Sequence, residues 1–386
     1  MEFPHTLRLI LAGLFSLPAL LLLIAVAPLA TILSIPSLII LTRRKSRFLP
    51  SFASAPKSDD APHPLLQHAI ITGGSSGIGL AVAVELAKRK CRHITLVARR
   101  EDQLKNAQQL VQAAATENAT TVHIVSVDVT DFEALQKRAV KLCDTTSPTN
   151  PGPPTLLFHC AGYSIPLAFG DLSPSDFAAQ VNVNYLGSIH AVKAFLPYMQ
   201  SIKPNNNLGG NIILTSSMSG QCGSYGYSAY SPTKFALRGF AESLSMELDA
   251  AAASGKNQNQ VNISLCYPPD TNTPGYEVEN LKKQEACRLI SESGGIWDPH
   301  VVGRKIVTVA LSPNPPFDIY FGLEGWMLST ITAGMNPVTS VIDAIFQVSL
   351  MGLLRFVSLF YLMDFGRITQ NCDEKKKNGS AEFKTD

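Results

Sequence analysis

Charge is scarce in this chain. Asp, Glu, Lys and Arg make up 16% of its 386 residues, below the ~25% of an ordinary soluble domain. The 32 basic and 30 acidic residues leave a net charge of +2, so no global field favours nucleic acid. Metal-ligand spacing is missing too. Seven cysteines, at 91, 143, 160, 222, 266, 287 and 372, form no CxxC pair and no His/Cys cluster, so no metal site is expected. Such an odd, scattered set fits a reducing compartment. There is no internal repeat, and a 46% hydrophobic content excludes disorder, collagen and coiled coil.

What is abundant is apolar sequence, concentrated at the ends. Residues 9–42 carry no charge. As one straight helix they would run ~51 Å against a ~30 Å hydrocarbon core, with Pro18, Pro28 and Pro36 as kinks or breaks. A cleaved signal has a shorter apolar core, ~7–15 residues, so a retained anchor is the better reading. Arg43, Arg44, Lys45 and Arg47 follow at once, which puts the downstream side in the cytosol. Near the other end, residues 326–342 are uncharged but broken by Gly334, Asn336 and Pro337, and residues 344–363 carry one charge, Arg355. Two spans, an interfacial hairpin and a lipophilic extension packed on the main domain all fit this pattern. The expected organisation is an anchor at 1–45, a linker at 46–65, a catalytic domain at 66–312, an apolar membrane-associated region at 313–372 and a polar tail at 373–386.

Between the ends, strand and helix patterns alternate. Apolar runs at 68–72, 93–98, 122–129, 156–160, 211–215 and 262–267 read as strands, with helical spacing at 80–88 and 104–115. The expected fold is α/β, a doubly wound parallel sheet of Rossmann type. The turn after the first strand is Thr72-Gly73-Gly74-Ser75-Ser76-Gly77-Ile78-Gly79. Glycines at 73, 77 and 79, between a strand and a helix, suit close approach of backbone to a pyrophosphate. The second strand ends in Arg99-Arg100, with no acid before Glu101. An arginine is a poor partner for a bare ribose and a good one for a 2′-phosphate, so Arg99 points to NADPH over NADH.

Tyr230 and Lys234 lie four residues apart, on one face of any helix that holds both. A nearby ammonium lowers a phenol's pKa, and a phenol so tuned can give a proton to a carbonyl oxygen as hydride arrives. Pro232 is tolerated in a first turn, so the helix should begin near Tyr230.

The order of the glycine turn, Asp128, Cys160-Ala161-Gly162, Asn184, Ser217 and Tyr230/Lys234 resembles the short-chain dehydrogenase/reductase family over residues 66–310. The resemblance implies that Tyr230 is the general acid/base and that Lys234 binds the nicotinamide ribose and tunes it. Ser217 would polarise the substrate carbonyl, Asn184 would hold a relay water, and Asp128 would face the adenine. Gly73, Ser75, Ser76, Gly77, Ile78, Gly79, Ala161 and Gly162 would line the cofactor. Two departures stand out: His159 where the family has asparagine, and Pro268-Pro269 where it has Pro-Gly. His159 is expected to support the sheet and not to catalyse.

Further motifs, residues 184–188, 267–275, 289–292, 332–340 and 351–355, resemble the sphingoid-ketone branch of that family. This implies a reductase in the endoplasmic reticulum membrane with its active site facing the cytosol, acting with NADPH on a long-chain sphingoid ketone. Membrane lipid is the expected surrounding. Another lipophilic ketone (3-ketoacyl-CoA, steroid or retinoid), a non-catalytic NADP-binding scaffold, and assembly into a homo-oligomer stay open.

Overall fold

Seven short strands build the sheet: β1 (His68–Thr72), β2 (His93–Ala98), β3 (Thr121–Ser126), β4 (Leu156–His159), β5 (Gly210–Thr215), β6 (Val261–Tyr267) and β7 (Asp318–Tyr320). All pairs are parallel, in the order β3-β2-β1-β4-β5-β6-β7. The computed structural model describes residues 63–115, 119–202, 209–254, 259–312, 315–338 and 340–382. The expected anchor, and the linker as far as residue 62, lie outside these.

The connecting helices are α1 (Gly77–Lys88), α2 (Glu101–Ala114), α3 (Phe132–Cys143), α4 (Pro174–Gln180), α5 (Gly187–Ser201), α6 (Ser231–Ala253), α7 (Pro274–Asn280), α8 (Glu285–Ser291), α9 (Pro299–Ala310), α10 (Gly322–Ile331) and α11 (Val341–Glu382). Successive strand residues point to opposite faces, and both faces are covered. Ile71, Leu96, Phe158 and Ile213 pack beneath α1, α2 and α9, while Ile70, Val97, Leu157 and Ile212 pack beneath α3, α5 and α6. Burial on both faces is why these strands read as continuous apolar runs. Each fully buried Leu or Phe contributes about 1.5–3 kcal/mol by leaving water.

Two details differ from the sequence reading. Strand β3 ends at Ser126, three residues before the end of its apolar run. Strand β7 pairs with β6 beyond residue 312, so the sheet takes in part of the apolar C-terminal region. That region stays docked as far as Asn336. Arg238 on α6 donates to the carbonyls of Thr332 and Ala333, Gln221 Nε2 donates to Ser329 Oγ at 2.7 Å, and Asn336 Nδ2 donates to Asp318 Oδ2 at 2.6 Å. Helix α10 has ten residues, about 15 Å of rise, half of a ~30 Å hydrocarbon core. After a break at Gly334–Pro337, α11 runs as one continuous helix and packs against α10 and α8.

Chain direction reverses between β1, which leads outward to β2, and β4, which leads the other way to β5. At such a switch point the loops after the two strands diverge and leave a crevice. Thr72 and His159 face each other there, and the residues that follow them shape the candidate site.

Candidate active site

The glycine turn lies against the exit of β4. Gly73 has φ +67°, and a Cβ on it would sit 2.7 Å from the Ala161 nitrogen. A Cβ on Gly79 would run into the Gly73 carbonyl. Only glycine fits either place, so the turn presents bare backbone at the start of α1. Ser75 lies in the turn, Ser76 is the extended residue before the helix, Gly77 has φ +56° and sits against the Thr273 side chain, and Ile78 packs on the core. This is a cradle that a side chain would fill, aimed along a helix N-terminus, and it fits a dinucleotide pyrophosphate.

At the rim, Arg99 Nη1 lies 3.7 Å from Asp128 Oδ2, with 70% of the Arg99 side chain exposed. Asp128 is held in place by the Thr130 amide and hydroxyl, at 2.9 and 2.8 Å. The guanidinium is therefore placed but largely free to take a further anion.

Asn184 is fully buried in a π-helical turn, Val181–Leu186, ahead of α5. Its Oδ1 accepts from the Tyr163 amide at 3.0 Å, and its Nδ2 donates to the Tyr163 carbonyl at 2.9 Å and to Thr233 Oγ1 at 3.2 Å. A widened turn of this kind re-aims a side chain that a regular helix would point elsewhere. Gly162 completes this wall: a Cβ there would meet Asn184 Oδ1 at 3.1 Å and Lys234 Nζ at 3.3 Å.

Helix α6 begins immediately after Tyr230, with Pro232 in its first turn, as the proline predicts. Lys234 is 4% exposed; its Nζ donates to the Thr215 carbonyl at 2.9 Å and lies 5.6 Å from the Tyr230 ring centre. Burial pulls its pKa down to about 8. Ser217 caps the short turn Met218–Gly220 by accepting from Ser219 N at 3.1 Å, and its hydroxyl comes close enough to the Tyr230 phenol to act on its pKa. The neighbouring Ser216 is spent internally, donating to the Lys234 carbonyl at 3.1 Å. Ser217 is thus the serine that meets Tyr230.

One expectation is reversed. Sequence spacing suggests that Lys234 lowers the Tyr230 pKa. In the structure it is raised, first by loss of water around the hydroxyl, then by the charge of Glu279 and, to a smaller extent, Asp270, while the contact with Ser217 opposes the shift. Burial, reinforced by two carboxylates far along the chain, holds the phenol in its protonated form.

His159 behaves as a support. It is 1% exposed, its Nδ1 bonds to Thr72 Oγ1 at 2.8 Å, and burial pushes its pKa down to about 3. A neutral imidazole thus joins the ends of β1 and β4.

Sequence reasoning missed a second polar group beside Tyr230. Lys283, its side chain 0% exposed, lies 2.9 Å from Asp270 Oδ2 and 3.2 Å from Glu279 Oε1. Glu279 also accepts from Tyr227 and from Ser164, each at 2.5 Å. The four-residue spacing of Glu279 and Lys283 is the one local signal, and by itself it reads as an ordinary helix pair.

Comparison with known proteins agrees with this geometry. The sequence profile described as short chain dehydrogenase matches residues 67–284. The chain belongs to this family and is an oxidoreductase. More narrowly, it is 39% identical to the 3-ketodihydrosphingosine reductase of Bos taurus, over 82% of this chain and 90% of that one. It is also 39% identical to the 3-dehydrosphinganine reductase of Danio rerio, over 81% and 89% of the two chains. Among solved structures, an alcohol dehydrogenase from Thermococcus sibiricus complexed with 5-hydroxy-NADP matches with a TM-score of 0.51 at 22% identity, covering 64% of this chain and 92% of that one. That likeness concerns the fold.

Proposed function

We propose that the protein reduces the C3 ketone of 3-ketodihydrosphingosine (3-dehydrosphinganine) to sphinganine with NADPH, at the endoplasmic reticulum membrane with its catalytic domain in the cytosol. The observation that carries the chemistry is the junction of Ser217 and Tyr230 above the buried Lys234 ammonium. The names of the relatives support the substrate. Arg99, charged and largely exposed at the rim, supports a 2′-phosphate and hence NADPH.

The bound nicotinamide dinucleotide supplies hydride. The chain supplies the rest. The ketone oxygen accepts from the Ser217 and Tyr230 hydroxyls, which polarises the carbonyl. As hydride reaches C3, the phenolic proton moves to that oxygen and completes the alcohol. The Lys234 ammonium, held by the Thr215 carbonyl, offsets the phenolate left behind. A phenol whose pKa is raised is in the right form to start in this direction. Asn184, fixed by the Tyr163 backbone and Thr233, holds the wall through which a water returns the proton.

Helix α11 supports the membrane setting. Its segment Ile342–Glu374 has a mean hydropathy of 1.7 in its most apolar window, of which only 11% is buried. An alkyl chain at ~0.8 kcal/mol per methylene keeps the substrate in the bilayer, so an enzyme held at the same surface meets it there.

The test is NADPH oxidation by detergent-purified protein given 3-ketodihydrosphingosine, a 3-ketoacyl-CoA or a ketosteroid. Turnover of the sphingoid ketone alone, faster with NADPH than with NADH, is expected. Turnover confined to another ketone would discard the substrate and keep the chemistry.

A further inference from the structure

The cluster beside Tyr230 holds two carboxylates and one ammonium. Burial opposes the Lys283 charge, but Asp270 and Glu279 together raise its pKa above the ordinary lysine value, so the ammonium is kept. One negative charge is left over. It is also placed with care. Tyr227, which donates to Glu279 Oε1, stacks against Tyr230 with ring centres 5.5 Å apart. Ser164, which donates to Glu279 Oε2, follows Tyr163, the residue whose backbone holds Asn184. Glu279 is therefore bracketed by the two walls that carry the reacting groups.

Its hydrogen bonding is incomplete. A carboxylate has about four acceptor positions. Tyr227 and Ser164 take two of those on Glu279, and the Lys283 ammonium lies against Oε1 as an ion pair at 3.2 Å. On the Asp270 side of the cluster the Tyr276 hydroxyl is buried without a hydrogen-bond partner, in a residue 8% exposed whose ring carries the Lys283 ammonium 4.4 Å from its centre. A purely structural ion pair would leave neither a surplus charge nor an unpaired buried hydroxyl.

We propose that Glu279, with Asp270 and Lys283 fixing its position, binds the ammonium group that a substrate carries on the carbon next to the reacting ketone. This rests on the sphingoid-ketone reading and deepens it. With the carbonyl oxygen at Ser217 and Tyr230, a nitrogen one carbon away would turn toward Glu279, which Tyr227 links to the Tyr230 ring through its own hydroxyl and a 5.5 Å ring contact. The leftover negative charge is then met by the substrate, and neutral ketones of similar length are disfavoured because they leave it unmet.

The experiment compares two substrates on full-length protein: 3-ketodihydrosphingosine and the analogue with hydrogen in place of its C2 amine. The wild type should favour the amine, and Glu279→Gln should lower that preference in kcat/KM about 10- to 100-fold, mostly through KM, as expected for a charge-assisted hydrogen bond. NADPH affinity serves as the check on folding. Equal loss on both ketones would make Glu279 structural and overturn the proposal; so would an unchanged preference. Wild-type protein carries an independent reading if the variant fails to fold. The N-acetylated ketone, whose nitrogen bears no charge, should be at least about ten-fold poorer than the amine, and equal turnover would overturn the proposal. Wild type that ignores the sphingoid ketone altogether would instead remove the parent function, and this assignment with it.

Discussion

Strand β1 and helix α11 are both apolar, yet they meet opposite surroundings. All five residues of β1 are buried between two layers of helices. Along α11, Ile345, Phe346, Val348, Phe356, Leu359, Leu362 and Met363 stand exposed. Composition cannot tell the two apart; what covers them does. In the sheet, the apolar residues order the switch point and so place Tyr230, Ser217 and Lys234. On α11 one side packs on α8 and α10, with Leu354 and Val357 buried, while the residues just named are left partly uncovered among the described residues, and a lipid phase is the solvent that suits them. Under the function proposed above, the chemistry belongs to the first region and the access to a bilayer-held substrate to the second, so each can be broken without the other.

The largest effect should come from Tyr230→Phe. Removing the proton donor should lower kcat by about 10²- to 10⁴-fold, while titration with NADPH and flotation with vesicles stay as in the wild type. Near-normal turnover would remove the phenol from the mechanism. Next comes Leu359→Arg, which places a charge on the exposed face of α11. If that face lies in lipid, the cost is about 2.5–3.5 kcal/mol at the centre of the span, read as loss of vesicle binding by protein cut short of residues 1–45, whose own apolar run would otherwise hold it. Turnover of a short, water-soluble ketone should persist, because the sheet is untouched. Retained flotation would separate α11 from the membrane.

A smaller effect is expected for Arg99→Ala. Losing one charge-assisted contact at an exposed rim should weaken NADPH about ten-fold and NADH much less. Equal loss for both would remove the 2′-phosphate argument. The effect on catalysis is smallest for His159→Asn, which is measured instead as unfolding free energy against pH. Burial lowers the His159 pKa from 6.5 to about 3, so only the unfolded chain takes up that proton between these values. Stability is therefore complete above pH 6.5 and falls as pH drops toward 3, by at most about 1.4 kcal/mol per pH unit for one proton. The variant should show a shallower acid loss in that window; an unchanged slope would mean that His159 is not held neutral.

Much of this was legible in the sequence, for physical reasons. Six strands stand out because burial on both faces demands unbroken apolar runs. The glycine turn stands out because close approach excludes side chains. Tyr230 and Lys234 are tied by helical spacing, and Pro232 marks where that helix starts. Strand β7 was not legible: three residues, opened by Asp318, carry no periodic signal, and β6 alone recruits them. The raised Tyr230 pKa was not legible either. Spacing brings Lys234 near, but the burial of the hydroxyl is set by tertiary packing, and the carboxylates of Asp270 and Glu279 arrive from the segment after β6, which no local pattern announces.

The most direct measurement follows the hydride itself. Purified protein is given 3-ketodihydrosphingosine and NADPH deuterated at both C4 positions of the nicotinamide, and the lipid product is analysed by mass spectrometry. Sphinganine with a single deuterium, located at C3, is the predicted result. Sphinganine without the label, or no sphinganine while the cofactor is consumed, would contradict direct reduction of this ketone at the Ser217–Tyr230 site.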